Sequence, residues 1–115
     1  TIGTNRTKNL STNKVIRDGL VAVLYSPGFG AGWSTWADPE IREEIVFDPA
    51  IVELVEQERW EELEAFVVLK YPDLYTGGLR DLIISWIPQG LQFQITDYDG
   101  NESIELRDQI DWITA

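Results

Sequence analysis

The run Leu20–Tyr25 constrains the fold of this chain more than any other stretch. It reads Leu-Val-Ala-Val-Leu-Tyr, so both alternating faces of an extended strand would be apolar. Side chains along a strand point alternately to the two faces of its sheet. A strand that is apolar on both faces has to be covered on both sides. The run, which Gly19 opens and Ser26-Pro27 ends, therefore predicts a central strand.

Helix signals follow this strand. Asp38-Pro39 and Asp48-Pro49 each place a capping residue directly before a proline, which is favoured in the first turn of a helix. The first pair predicts a short helical or strand-like segment that runs through Phe47, and the second pair predicts a helix.

The helical pattern beyond Asp48 is interrupted once. Its apolar positions go out of phase near Gln57-Glu58, which predicts two short helices rather than one long helix. The second helix should end by Tyr71, because Pro72 disfavours helical geometry in the residue before it.

Three alternating apolar and polar runs make up the region after Gly78. Pro88-Gln89-Gly90 fits a type I turn with proline second and glycine fourth, and Asp99-Gly100 is a strong hairpin signal. These runs predict a C-terminal β-meander. With the central strand they predict an α+β fold: one antiparallel sheet of about four strands, with helices packed on one face.

Charge is distributed unevenly along the chain. The first seventeen residues hold four bases and no acid, whereas the other 98 hold all 20 acids and five bases. We expect residues 1–13 to be a mobile polar, basic arm that could dock onto a second subunit, and residues 14–115 to be a single domain. A body this acidic repels DNA and anionic membranes. Its charge fits either solubility alone or a surface that imitates nucleic acid for a basic protein.

Composition limits the chemistry that the chain could perform. It has no histidine and no cysteine, so the commonest general base, thiol nucleophiles, disulfides and the usual transition-metal ligands are missing. The stretch Asp97–Glu102 is similar to a calcium loop but lacks the required ligand spacing, and a hairpin turn explains it. We therefore expect no catalytic residue, no metal site and no cofactor, and we keep a carboxylate-based, metal-assisted enzyme as an alternative. The lack of a signal peptide or a membrane-spanning run predicts a cytosolic protein.

The stretch Ser26–Trp36 is the strongest candidate for a functional site. It combines three glycines at every second position with a proline and three large aromatic residues. Its spacing matches neither the dinucleotide-binding nor the Walker phosphate loop. It does offer backbone N–H groups, hydroxyls and rings that could stack on a flat ligand. Alternatively, the rings pack into the core at the end of the sheet.

The ligand interpretation also needs positive charge, which the two arginines of the C-terminal region could supply. The predicted ligand-binding residues are Phe29, Gly30, Gly32, Trp33, Ser34, Thr35, Trp36, Arg80 and Arg107.

Three stretches carry a resemblance to known proteins: Tyr25–Trp36 (YSPGFGAGWSTW), Tyr75–Gly78 (YTGG) and Tyr98–Ile104 (YDGNESI). Through them the chain resembles, from Lys14 to Leu106, a group of small bacteriophage proteins without an established function. The resemblance implies a phage protein in the host cytosol, where small acidic proteins without catalytic residues often inhibit host defence.

Two functions fit that setting. The first is a homo-oligomer that binds a small nucleotide-like ligand and sequesters a nucleotide-derived immune signal. The alternative is an acidic inhibitor, or nucleic-acid mimic, that engages a basic host protein.

Overall fold

The computed structural model describes residues 14–28, 32–98 and 101–106. Within these ranges the chain has an α+β fold with five strands, three α-helices and two 3₁₀ turns. The strands are β1 (Ile16–Arg17), β2 (Leu20–Tyr25), β3 (Ile83–Pro88), β4 (Phe93–Tyr98) and β5 (Asn101–Leu106). The helices are α1 (Pro39–Phe47), α2 (Pro49–Glu56) and α3 (Trp60–Lys70), and the 3₁₀ turns are Ser34–Trp36 and Leu79–Asp81.

Strand β2 lies in the middle of a three-stranded antiparallel sheet with the order β1-β2-β3. Its two faces contribute to two different apolar clusters. Ala22 and Leu24 pack with residues of α2 and α3, and Val21 and Val23 pack with residues of β4 and β5. All four side chains are buried, which confirms the prediction of a central strand covered on both sides.

The expected single sheet of about four strands is wrong. Strand β3 pairs with β2 along its whole length, whereas β4 and β5 pair only with each other in a separate two-stranded sheet. The reason lies in β2, whose two apolar faces both need cover. Apolar residues of all three helices cover one face. Val46 and Phe47 of α1 cover the other together with the β4–β5 hairpin, which contributes Phe93, Ile95, Ile104 and Leu106.

The turn after β3 separates the hairpin from the first sheet. Leu91 N donates to Pro88 O over 3.1 Å, so the turn starts at Pro88, one residue later than predicted. Gly90 is then its third residue and has a φ of +90°. A positive φ at that position is characteristic of a type II turn and not of the predicted type I turn. The strand that follows this turn, β4, pairs with β5 and not with β3, so the chain does not continue as a meander.

The two-residue strand β1 was not predicted. Asp18 and Gly19 connect it to β2 and have φ values of 53° and 79°, as a type I′ hairpin requires. Asp-Gly is the same signal that predicts the β4–β5 hairpin, where Tyr98 pairs with Asn101 across the turn. Asp99 and Gly100 themselves lie outside the described residues, as does the predicted basic arm 1–13.

The helices lie where the sequence predicts them, but the predicted capping residue Asp38 makes no side-chain capping bond. The segment that begins at Pro39 is helical rather than strand-like, and α2 and α3 are separated where the apolar pattern breaks. Glu58 has a φ of +56° in that break. Helix α3 ends at Lys70, two residues before Pro72. No helix in the described part of the chain combines the length and the apolar character needed to cross a membrane.

Asp48 joins the start of α2 to the end of α3. Its Oδ1 accepts hydrogen bonds from Ala50 N (2.9 Å) and Ile51 N (3.3 Å), which makes it a true helix cap. Its Oδ2 accepts from Lys70 Nζ (2.8 Å) and from the Tyr71 hydroxyl (2.6 Å). Burial of the phenol, together with its bond to this carboxylate, raises the pKa of Tyr71 far above its ordinary value. The carboxylate is thus a buried junction between two helices.

We expect Asp48→Ala to lower the free energy of unfolding by about 2–3 kcal/mol, because it removes the cap, leaves the buried Ile51 N without its side-chain acceptor and breaks the link to Tyr71 and Lys70. Asp38→Ala is the matched control. Asp38 precedes α1 in the same Asp-Pro context, but its side chain makes no capping bond. The control should change stability by no more than about 0.5 kcal/mol. Urea unfolding of both variants measures the difference, and equal losses would contradict this role of Asp48.

Candidate functional site

Glu102 reaches from β5 into the predicted ligand-binding loop. It lies on the same face of β5 as Ile104 and Leu106, and its side chain is only 1% exposed. Its Oε1 accepts a hydrogen bond from Ser26 N (2.9 Å). Its Oε2 accepts from Trp33 N (2.6 Å), Thr35 N (3.0 Å) and Thr35 Oγ1 (2.6 Å). Four donors therefore surround one buried carboxylate.

The backbone reinforces this contact. Glu102 N donates to Ser26 O over 2.9 Å, so the two residues are joined in both directions. The Ser26 hydroxyl in turn donates to Gly78 O (2.9 Å). These bonds fix the β4–β5 hairpin to the end of β2 and connect the two glycine-containing loops.

The loop N–H groups form an anion site, and the protein's own carboxylate occupies it. Successive N–H groups that converge on one point are typical of anion-binding loops. No lysine or arginine in the described ranges forms a salt bridge with Glu102, so the N–H groups and the Thr35 hydroxyl are its stabilising partners. These groups are consequently not available to a phosphate.

Gly32 shows how tightly the loop surrounds the carboxylate. A Cβ at this position would lie 2.5 Å from Thr35 Oγ1, 2.7 Å from Trp36 Cδ1 and 3.0 Å from Glu102 Oε2. Any side chain would push these groups apart, so this predicted site residue is a packing requirement of the loop.

The rings of the loop have different environments. Trp33 is fully buried, and its Nε1 donates to Ile45 O (3.0 Å). This ring therefore packs in the core and is not exposed to a ligand. Trp36 is 46% exposed, and its ring stacks on that of Tyr75 with centroids 5.6 Å apart. Its Nε1 donates to Asp97 Oδ2 (2.7 Å). Phe29 and Gly30 lie outside the described residues.

A groove of about 420 Å³ opens between the 3₁₀ turn Ser34–Trp36, helix α1 and strand β4. It contains two of the predicted site residues, Ser34 and Thr35. Its base is apolar, with Phe47 and Phe93 in edge-to-face contact at 6.1 Å between centroids. The exposed residues of its rim are Pro39, Arg42, Glu43 and Gln94.

Arg42 and Glu43 give this groove one positively and one negatively charged side chain. Arg42 lines it and donates to Ala37 O (2.8 Å), which fixes the guanidinium near the loop. Lys14 Nζ lies 4.6 Å from the centre of the Phe47 ring. Sequence reasoning missed both cations and both phenylalanines, because they come from segments that are distant along the chain.

Arg80 is not brought to this groove. Its guanidinium makes two 3.0 Å bonds to the Glu64 carboxylate on α3. The bond lowers the pKa of Glu64 and raises the pKa of Arg80. Arg80 lines a separate surface depression with residues of α3, and Arg107 lies outside the described residues.

No group of three carboxylates within the described ranges lies close enough to hold a metal ion. Comparison with protein-family models, with curated proteins and with solved structures finds no match to this chain. The geometry of the groove and of the loop is therefore the basis for assigning a function.

The role of Glu102 had one signal in the sequence. Glu102 is separated from Ile104 and Leu106 by two and four positions, so on an alternating strand this charged residue lies on the same face as the two apolar ones. A buried carboxylate has to find several donors. The sequence does not say which donors, because Ser26 and Trp33 lie 76 and 69 positions away.

We expect Glu102→Gln to lower the free energy of unfolding by about 2–4 kcal/mol, because an amide group would place its own N–H donors against those of the loop. Glu105→Gln is the matched control on the same strand, since Glu105 is exposed and bonds only to Gln94 in the described structure. Chemical unfolding followed by tryptophan fluorescence measures both variants. Similar stability of the two would show that the buried carboxylate does not hold the loop.

Proposed function

We propose that the protein binds a small ligand in the groove between α1, β4 and the 3₁₀ turn. The groove itself carries the proposal. Its volume of about 420 Å³ falls within the range of about 300–1,000 Å³ that is typical of small-molecule sites. An apolar base with a few polar groups at its rim is also the usual composition of such sites. Because the chain has no histidine or cysteine, the proposal is that the protein binds its ligand without converting it.

A nucleotide-like ligand fits the chemistry of the groove. A flat nucleobase would pack on the rings of Phe47 and Phe93 in the groove. An anionic group of the same ligand would be attracted by Arg42 and Lys14. Glu43 at the rim could accept hydrogen bonds from ribose hydroxyls. Recognition would thus use side chains of the groove, because Glu102 already occupies the N–H groups of the loop.

In its full form, the proposal is that this protein comes from a phage and sequesters a nucleotide-derived immune signal of the host. Arg42 in the lining of the groove and Lys14 beside the Phe47 ring support the nucleotide. The resemblance of the sequence to small phage proteins is the basis for the counter-defence setting and the host cytosol. The homo-oligomer stays a prediction.

Ligand panels test the proposal directly. We expect at least one member of a panel of cyclic nucleotides and ADP-ribose-type compounds to raise the melting temperature and to appear in native mass spectra. A ligand at a hundred times its Kd adds about 2.7 kcal/mol of stability, which such assays detect. A folded protein that none of these compounds stabilises would contradict the nucleotide proposal.

Arg42→Ala locates the site. Loss of a charged hydrogen bond worth about 1.5–3 kcal/mol should weaken binding by about tenfold or more. Arg59→Ala is the control, because Arg59 is an exposed arginine whose partner is Glu62 on α3, away from the groove. Equal weakening by both variants would exclude the groove.

A second candidate is binding of a basic host protein by the acidic surface. Helices α2 and α3, with the break between them, carry six glutamates, and three neighbouring arginines already pair with some of them. The surface remains strongly acidic after this pairing, which favours a cationic partner. The glutamates are Glu53, Glu56, Glu58, Glu61, Glu62 and Glu64.

Neutralising three members outside these salt bridges, by Glu53→Gln, Glu58→Gln and Glu61→Gln together, should weaken binding of a cationic peptide such as octalysine. The loss should be largest at low ionic strength, because salt screens exposed charges. Isothermal titration at low and high salt measures it. Binding that neither salt nor the triple variant changes would contradict this candidate, and Arg42→Ala should leave it intact.

A further inference from the structure

A second groove, of about 510 Å³, follows strand β5. One wall is β5 itself, where Ile104 and Leu106 are half-buried, and the other wall contains Tyr25, Pro27 and Ser85. None of its lining residues belongs to β4, so the groove lies along the outer edge of β5. It shares no lining residue with the proposed ligand groove.

The backbone of β5 presents unpaired groups at this edge. Glu102 N donates to Ser26 O and not to β4, so the backbone groups of Glu102 point to the outer edge. Because their direction alternates along a strand, those of Ile104 and Leu106 point the same way. Within the described ranges β5 pairs with β4 alone, and no backbone acceptor reaches Ile104 N or Leu106 N. An edge of this kind readily pairs with another strand.

The β4–β5 hairpin also leaves part of β3 uncovered. Val23 pairs with Ser85, so Ile83, Ser85 and Ile87 lie on the face of the first sheet that the hairpin covers. Ile87 is buried, whereas Ser85 lines the groove and Ile83 is 44% exposed. A strand placed beside β5 would lie over this end of β3 and complete the second of two packed sheets.

The sequence that follows β5 has the length and the pattern of such a strand. The described part of the chain reaches Leu106, which lines the groove, and residues 107–115 come next. Nine extended residues reach up to about 30 Å, which is more than the length of β5. Ile110 and Trp112 are two positions apart, so they would share one face of a strand. A segment tethered this closely to the groove also has a high effective concentration there.

We propose that residues 107–115 occupy this groove as a third strand, antiparallel to β5. A three-residue connection is a common hairpin length and would place Ile110 opposite Leu106 and Trp112 opposite Ile104. Both apolar side chains would then face the groove, and the unpaired backbone groups of β5 would gain partners. A shift of one residue would turn both side chains to solvent, so the pattern selects this register. The segment would thereby cover an edge that could otherwise pair with another chain.

Amide hydrogen exchange of the full chain, measured by NMR, tests this contact. We expect Ile104 N–H and Leu106 N–H to exchange slowly, and Trp112→Asp to accelerate both by about tenfold or more, because a charge that enters the groove without a partner displaces the strand. Ile113→Asp is the matched control, since the next position of the proposed strand faces solvent and the substitution should leave both rates unchanged. Val23 N–H in the central strand should stay protected in both variants, which shows that the fold is intact.

A disulfide identifies the occupant. The chain has no cysteine, so Ser103→Cys combined with Ile113→Cys would supply its only thiols. The proposed register puts these positions directly opposite each other without a hydrogen bond between them, where Cα atoms lie about 4.5 Å apart and a disulfide can form. Thr96→Cys combined with Ile113→Cys is the control. Thr96 pairs with Ser103 from the other side, so it lies one strand farther away, beyond the reach of a disulfide.

Each outcome decides for or against the third strand. Slow exchange that only Trp112→Asp removes, with a disulfide inside one chain for the first cysteine pair alone, would support it. Fast exchange of Ile104 N–H and Leu106 N–H in the unchanged chain, or equal effects of the two aspartate variants, would overturn it. A disulfide that joins two chains would overturn it in favour of a second copy as the occupant. Equal closure of the two cysteine pairs, or closure of neither, would also overturn it.

Discussion

The structure depends on the burial of one carboxylate, that of Glu102. A carboxylate removed from water without partners costs several kcal/mol, so it is tolerated only where donors converge on it. Here the donors are backbone N–H groups of the glycine loop and one hydroxyl. They could not converge if Gly32 carried a side chain. The glycine content of the loop and the acid on β5 are thus two halves of one interaction.

This interaction changes what the loop can be used for. A glycine-rich loop after a strand is a common anion-binding element, and this loop does bind an anion, but the anion is internal. Its hydroxyl residue Thr35 bonds inward to Glu102, and Trp33 packs in the core. The surfaces left for partners are formed by side chains around the loop: the groove that Arg42 lines, and the exposed Trp36–Tyr75 pair.

Local patterns in the sequence predicted most of the elements and few of their arrangements. The bounds of β2, the break between α2 and α3 and the cap at Asp48 depend on neighbouring residues, so they could be predicted. The second sheet could not, because alternation along β4 and β5 shows that one face is buried without showing what buries it. Two residues of the groove, Ser34 and Thr35, were among the predicted ligand-binding residues. Phe47 and Phe93 were not, because they meet only when the hairpin packs on β2. The decisive contact joins residues 76 positions apart, and no periodicity spans such a separation.

That separation also sets an order of events. Ser26 emerges early during synthesis, yet the carboxylate that satisfies its N–H emerges only after the three helices and strands β3 and β4. Until β5 arrives, the loop has its donors but lacks their acceptor, and one apolar face of β2 lacks the part of its cover that Ile104 and Leu106 supply. Contacts between distant segments form slowly, because a long loop has to close before they stabilise anything. Completion of the loop therefore waits for the last described strand, and a chain that lacks β5 would present an empty anion site next to an incompletely covered sheet.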